Sequence, residues 1–89
     1  LIILDVSRNK LTSLPVRLGE CSMLEQLLGQ ENRIVSLPEE IGRCSKLRLV
    51  DLKNNCLETT PVELVCRVDS LVYLDLEGNP CNAVVRGIL

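Results

Sequence analysis

Leu24-Glu25-Gln26-Leu27-Leu28-Gly29-Gln30-Glu31-Asn32 is the stretch that decides the fold. Around Leu27 its residues alternate inward and outward, the period of a strand. Asn32 closes it with a side-chain amide that can bond the backbone groups a turning chain leaves unpaired. The pattern Leu-x-x-Leu-x-Leu-x-x-Asn recurs with its asparagine at Asn9, Asn32, Asn55 and Asn79. The leading residues Leu1, Leu24, Leu47 and Leu71 stand 23, 23 and 24 positions apart. A fixed period in this range marks a solenoid, in which one short strand per repeat stacks on the next and no repeat folds alone.

Between strands the apolar positions also superimpose. The first repeat runs Leu4, Val6, Asn9, Leu11, Leu14-Pro15, Leu18, Cys21, and the second continues from Asn32 through Ile34, Leu37-Pro38, Ile41 and Cys44. Proline suits the bend toward the back of the coil because it has no N–H to satisfy. The third repeat keeps Val50, Leu52, Asn55, Leu57, Thr60-Pro61 and Leu64, then carries one additional residue before Leu71. Its stretch 61–70 has apolar spacing suited to a short helix or 3-10 turn starting near the proline. The chain therefore divides as 1–23, 24–46, 47–70 and 71–89. After Asn79-Pro80-Cys81 the fourth repeat changes character, and Ala83 to Leu89 reads as the start of a helix that closes the array. At the other end Leu1, Leu4 and Leu11 would face water unless further repeats precede them, so we expect a segment of a longer protein.

Three departures stand out. Gly29 occupies the place of Val6, Leu52 and Leu76, so its layer is expected to be underfilled or locally slipped. Thr60 replaces the leucine before the proline. The additional residue near Val65–Asp69 breaks the period.

Composition narrows the functional classes. Hydrophobic residues make up 46% of 89 residues, yet Tyr73 is the only aromatic. Leu, Ile and Val suit a core of identical layers that each need one similar volume. The net charge of −2 is spread over interspersed signs, which argues against nucleic acid. No apolar run approaches the roughly 20 residues that span a bilayer. Cys21, Cys44, Cys56, Cys66 and Cys81 form no CxxC pair, and the chain has no histidine, so zinc is a poor fit. Cys21 and Cys44 share one repeat position and read as small buried apolar groups. The odd cysteine count and the lack of an Asn-x-Ser/Thr sequon favour a reducing, intracellular, cytoplasmic setting.

Without histidine there is no Ser-His or Cys-His pair, and no phosphate-cradling glycine loop occurs. No catalytic residue, cofactor or metal is expected. The outward strand positions carry the interest instead. One column runs Ile3, Gln26, Leu49, Tyr73; the next Asp5, Leu28, Asp51, Asp75; then Ser7, Gln30, Lys53, Glu77; and beyond these Arg8 and Glu31, with Asn54 and Gly78. Asp51 and Asp75 lie on neighbouring strands about 4.8 Å apart. They read either as a two-carboxylate site or as an acidic stripe facing a basic partner. Apolar Ile3, Leu28, Leu49 and Tyr73 amid carboxylates are the mix a protein interface favours, or the plain result of strand propensity. Cys56 reads as an exposed turn residue without the basic cluster that activates a thiol.

By its Leu-x-x-Leu-x-Leu-x-x-Asn strands and Leu-Pro-x-x-Ile/Leu-x-x-Cys returns, the chain resembles the leucine-rich repeat proteins over nearly its whole length. The second half of each repeat is similar to the intracellular Ras-suppressor-like group that includes Erbin and Scribble. The resemblance implies an α/β, right-handed solenoid with a parallel sheet on its concave face and loops and short helical or 3-10 turns on its convex face. It also implies a protein partner on the concave face, in a scaffold or signalling role. Two other functions remain open at this point: an architectural subunit of a larger assembly, and a substrate-recruiting part of a longer signalling or enzymatic chain.

Overall fold

The computed structural model describes residues 2–81. Strands β1 (Ile2–Asp5), β2 (Leu24–Leu28), β3 (Leu49–Asp51) and β4 (Tyr73–Asp75) form one sheet in chain order, parallel throughout. Parallel neighbours cannot be joined by a hairpin, so each strand is followed by a return along the back of the coil. The returns carry 3-10 turns at Val16–Glu20 and Glu39–Arg43 and one helix, α1 (Val62–Arg67). This is the α/β right-handed leucine-rich repeat solenoid, with its parallel sheet on the concave face and short helical turns on the convex one.

Register follows the repeat. Leu4, Leu27, Val50 and Leu74 align across the sheet, and Leu27 and Val50 are completely buried. Pairing slips between Ile2, which meets Leu24, and Ile3, which meets Gln26. The residue left over is Glu25. This bulge puts two outward residues, Glu25 and Gln26, between the buried Leu24 and Leu27.

Each strand leaves through a left-handed residue and then an asparagine. Arg8, Glu31, Asn54 and Gly78 have φ of 58°, 59°, 56° and 77°. The asparagines that follow tie one turn of the coil to the previous one. Asn55 Nδ2 donates to Leu52 O and, one turn back, to Gly29 O, both at 3.0 Å, while its Oδ1 accepts the Ile34 amide at 3.1 Å. Asn32 makes the same set to Gly29 O, Val6 O and the Leu11 amide, and Asn79 to Leu76 O, Leu52 O and the Leu57 amide. Asn9 is exposed and, among the described residues, bonds only within its own turn, to Val6 O and Ser7 O.

The departures resolve individually. The expected void or slip at Gly29 does not occur. Its amide bonds Asp51 O at 2.8 Å in register. Leu52 Cδ2 lies 3.1 Å, and Ile34 Cδ1 3.9 Å, from where a Gly29 Cβ would stand, so neighbours occupy the space beside the glycine. The additional residue of the third repeat is absorbed by α1, a wider α turn where the earlier returns are 3-10. Val68 thereby takes the inward place held by Cys44, and the Leu71 amide bonds its carbonyl as the Leu47 amide bonds that of Cys44. Gly19 lets the convex turns approach closely: a Cβ there would stand 2.8 Å from Glu40 Cβ.

Two expectations need correction or fall outside the description. All five thiols are free, but only Cys44 and Cys81 are buried; Cys21, in the outermost return, is exposed. Pro80 lacks the amide that Cys56 uses one turn earlier to reach Ile34 O, so the Cys81 amide makes the corresponding bond to Leu57 O. The helix expected from Ala83 to Leu89, like Leu1, lies outside the described residues.

Candidate protein-binding face

Strand alternation presents Ile3, Gln26, Leu49 and Tyr73 as one outward column and Asp5, Leu28, Asp51 and Asp75 as the next. Each aspartate first serves its own turn. Oδ1 of Asp5 accepts the Ser7 amide at 3.0 Å and hydroxyl at 2.6 Å; Asp51 accepts the Lys53 amide at 3.1 Å and Asp75 the Glu77 amide at 3.0 Å. A carboxylate that bonds the amide two residues on is a common way to hold a chain as it leaves a strand. The hydroxyl and amide of Ser7 hold the Asp5 carboxyl below the usual carboxylate range.

With one oxygen fixed in this way, the other is aimed along the face. Asp51 and Asp75 side chains are 14% and 15% exposed. The Lys53 ammonium stands 3.7 Å from Asp51 Oδ2 and 3.9 Å from Asp75 Oδ2, inside ion-pair range but beyond a hydrogen bond. The Tyr73 hydroxyl donates to Asp75 Oδ2 at 3.1 Å. That bond and the Asp75 charge push the Tyr73 phenol pKa up. Four expected residues, Asp51, Lys53, Tyr73 and Asp75, thus form one cluster across β3 and β4.

The other expected residues are distributed around this cluster. Asp5 and Ser7 lie on β1 and its turn, two strands from Asp51, with Leu28 between. Gln30 sits between Ser7 and Lys53, with its side-chain oxygen covered and no donor in reach. Glu77 supplies the amide that Asp75 accepts. Arg8 and Glu31 are left-handed turn residues at the rim, where Arg8 Nε bonds Glu31 Oε2 at 3.1 Å. Both are well exposed, so this pair adds little stability.

Beside Tyr73 a shallow cleft of about 170 Å³ opens over Gln26 and Leu49. Its other walls are Glu25, Arg48 and Val72. Strict alternation counted from the inward leucines does not select these three. The Leu-x-x-Leu spacing was the available signal, since two residues between inward leucines leave a second outward one. Val72 is 75% and Tyr73 48% exposed, so the cleft has an apolar lip.

Nothing on this face resembles a metal or nucleophile centre. Among the described residues no three His, Cys, Asp or Glu side chains group closely enough to hold a metal ion. Burial pushes the Cys44 thiol up, with Cys21 adding to the effect, and burial does the same to Cys81. Both are structural by this measure. Among the described residues no helix is long and apolar enough to cross a membrane.

Fold and repeat together are those seen in leucine-rich repeat structures. The chain is similar to the solved structure of a leucine-rich repeat protein of Leptospira interrogans, with 35% identity and a TM-score of 0.86. That likeness covers 100% of this chain and 24% of the other, so the chain spans about a quarter of that protein's length. No protein-family model matches the chain, and no curated protein does.

Proposed function

We propose that the chain is a protein-interaction module that holds a partner protein on its concave face without catalysing a reaction. The observation that carries this reading is the rigid cluster of Asp51, Lys53, Tyr73 and Asp75 beside an apolar-lipped cleft. Polar groups fix orientation there while Leu49, Val72 and Tyr73 offer area to bury, the usual division of labour at an interface. Stacking fixes the sheet, so the partner is selected by display rather than by closure.

In the same reading the segment is one part of a longer intracellular, cytoplasmic solenoid of the Ras-suppressor-like group. The ending Leu74-Asp-Leu-Glu-Gly-Asn79-Pro is similar to the close of a repeat block in leucine-rich repeat-containing protein 40. No nucleic acid, membrane, cofactor or metal takes part. An architectural role is the second reading. It is favoured by Ile2 and Ile3, each 49% exposed at the β1 edge, where a further layer or subunit can stack.

A photo-crosslinking amino acid placed at position 73, and separately at convex position 16 and at position 2 on the β1 edge, distinguishes the two. We expect partner adducts from position 73 alone, lost when Asp51 and Asp75 are both changed to Lys. Adducts only from position 16 or from the β1 edge would overturn the concave-face reading.

A further inference from the structure

Acceptors outnumber donors on the concave face, and that imbalance describes a partner. An ionised carboxylate offers about four acceptor positions. Asp51 uses one, for the Lys53 amide, and Asp75 uses two, for the Glu77 amide and the Tyr73 hydroxyl. Lys53 stands between their outer oxygens at 3.7 and 3.9 Å, supplying charge without a hydrogen bond. Nearby, Gln30 Oε1 is covered and has no donor. Among the outward residues named above, six are acidic (Asp5, Glu25, Glu31, Asp51, Asp75, Glu77) and three basic (Arg8, Arg48, Lys53).

We infer that the concave face takes a partner segment carrying an arginine next to an apolar side chain, the guanidinium lying over Asp51 and Asp75 and the apolar group filling the cleft beside Tyr73. The inference rests on the concave-face reading above. A guanidinium fits where the ammonium does not. Its planar fork of five donors can bond two carboxylates on adjacent strands at once, whereas an ammonium acts as a point charge. The two aspartates are prepared for this, since their turn bonds hold them in place before the partner arrives. Lys53 then becomes an internal stand-in for the partner's cation, which the incoming guanidinium displaces. The Tyr73 ring beside the pair gives a flat surface on which the guanidinium can also stack. The cleft of about 170 Å³ accommodates one aliphatic or aromatic side chain against Leu49, Val72 and Tyr73.

The test is selection of a random twelve-residue peptide library, displayed on phage, against the chain. Binding of the recovered peptides is then followed by isothermal titration calorimetry. We expect enriched sequences with arginine beside an aliphatic or aromatic residue. Their affinity should fall about tenfold or more when that arginine is changed to lysine, or in the chain carrying Asp51→Asn and Asp75→Asn. Asparagine can still accept the turn amides, so the variant keeps its fold, checked by circular dichroism. Lys53→Met gives the contrasting arm: removing the internal competitor should raise affinity severalfold. Peptides that crosslink at position 73 but lack arginine, or that weaken in Lys53→Met, would overturn this inference and leave the concave-face reading standing. Peptides that crosslink only from convex position 16 would overturn both.

Discussion

Tyr73 is the chain's only aromatic residue, so its hydroxyl can be titrated without interference. Its bond to Asp75 and the carboxylate charge lift the phenol above its ordinary value of about 10. A folded-state pKa raised above the unfolded one means the bond supports the fold fully below the ordinary value and is lost as pH rises through the raised one. Absorbance titration should place Tyr73 above pH 10 in the native chain and nearer 10 in Asp75→Asn; unchanged titration in the variant would contradict the assigned bond. Asp5 works in the opposite sense. Its depressed pKa contributes above the ordinary carboxylate value and is lost as pH falls through the depressed one. Gly29 makes the point for the core. Repeat logic alone recommends Gly29→Leu as a repair, but Leu52 Cδ2 already lies 3.1 Å from the first added carbon. We therefore expect Gly29→Leu to destabilise the chain by about 1–3 kcal/mol in denaturant melts, the usual cost of overpacking. A gain in stability would show that the space is open after all.

At the scale of the element, the strands exist because the asparagine turns bond backbone groups that the chain would otherwise leave unpaired as it exits each strand. Asn55 satisfies Leu52 O, Gly29 O and the Ile34 amide from one buried side chain. Asn55→Ala leaves the buried Ile34 amide without its partner and takes one of two asparagine donors from Leu52 O and from Gly29 O, and should cost about 2–3 kcal/mol. Asn9, exposed and bonded within its own turn, should lose under about 1 kcal/mol on the same change. Equal losses would mean the cross-turn bonds add nothing. These elements are legible in the sequence because each outward or inward position returns in every repeat, and stacking keeps register nearly constant. The repeat period alone therefore places Asp5, Leu28, Asp51 and Asp75 in one row. What the period misses is local: the pairing slip that leaves Glu25 over, and the way Leu52 fills the space beside Gly29. Both depend on how one side chain or one extra residue is accommodated, which a periodic pattern does not encode. The aspartates' service to their own turns is equally hidden, since an acidic ladder reads the same whether it holds a turn or awaits a partner.

For the molecule as a whole, stability is close to a sum of single repeats and the interfaces between neighbours, so a repeat at an edge has one interface where an inner repeat has two. Burial shows the gradient. Leu4, Val6 and Leu11 in the first turn are half-buried, whereas Leu27, Ile34, Val50 and Leu52 are completely buried. Backbone bond length shows no such gradient. The Val6 and Arg8 amides reach Leu28 O and Gln30 O at 2.8 and 2.9 Å, and the Gly29 and Glu31 amides reach Asp51 O and Lys53 O at the same two distances. If bond geometry governed opening, these two sets of amides would exchange alike. If neighbour coupling governs it, residues 1–89 taken alone should exchange Val6 and Arg8 distinctly faster than Gly29 and Glu31, because β1 at the sheet edge can detach by breaking one interface whereas β2 must break two. Hydrogen exchange resolved by residue decides between them. Uniform protection across both sets would show that the described layers open as one unit, and that the coupling is strong enough to make the array all-or-none.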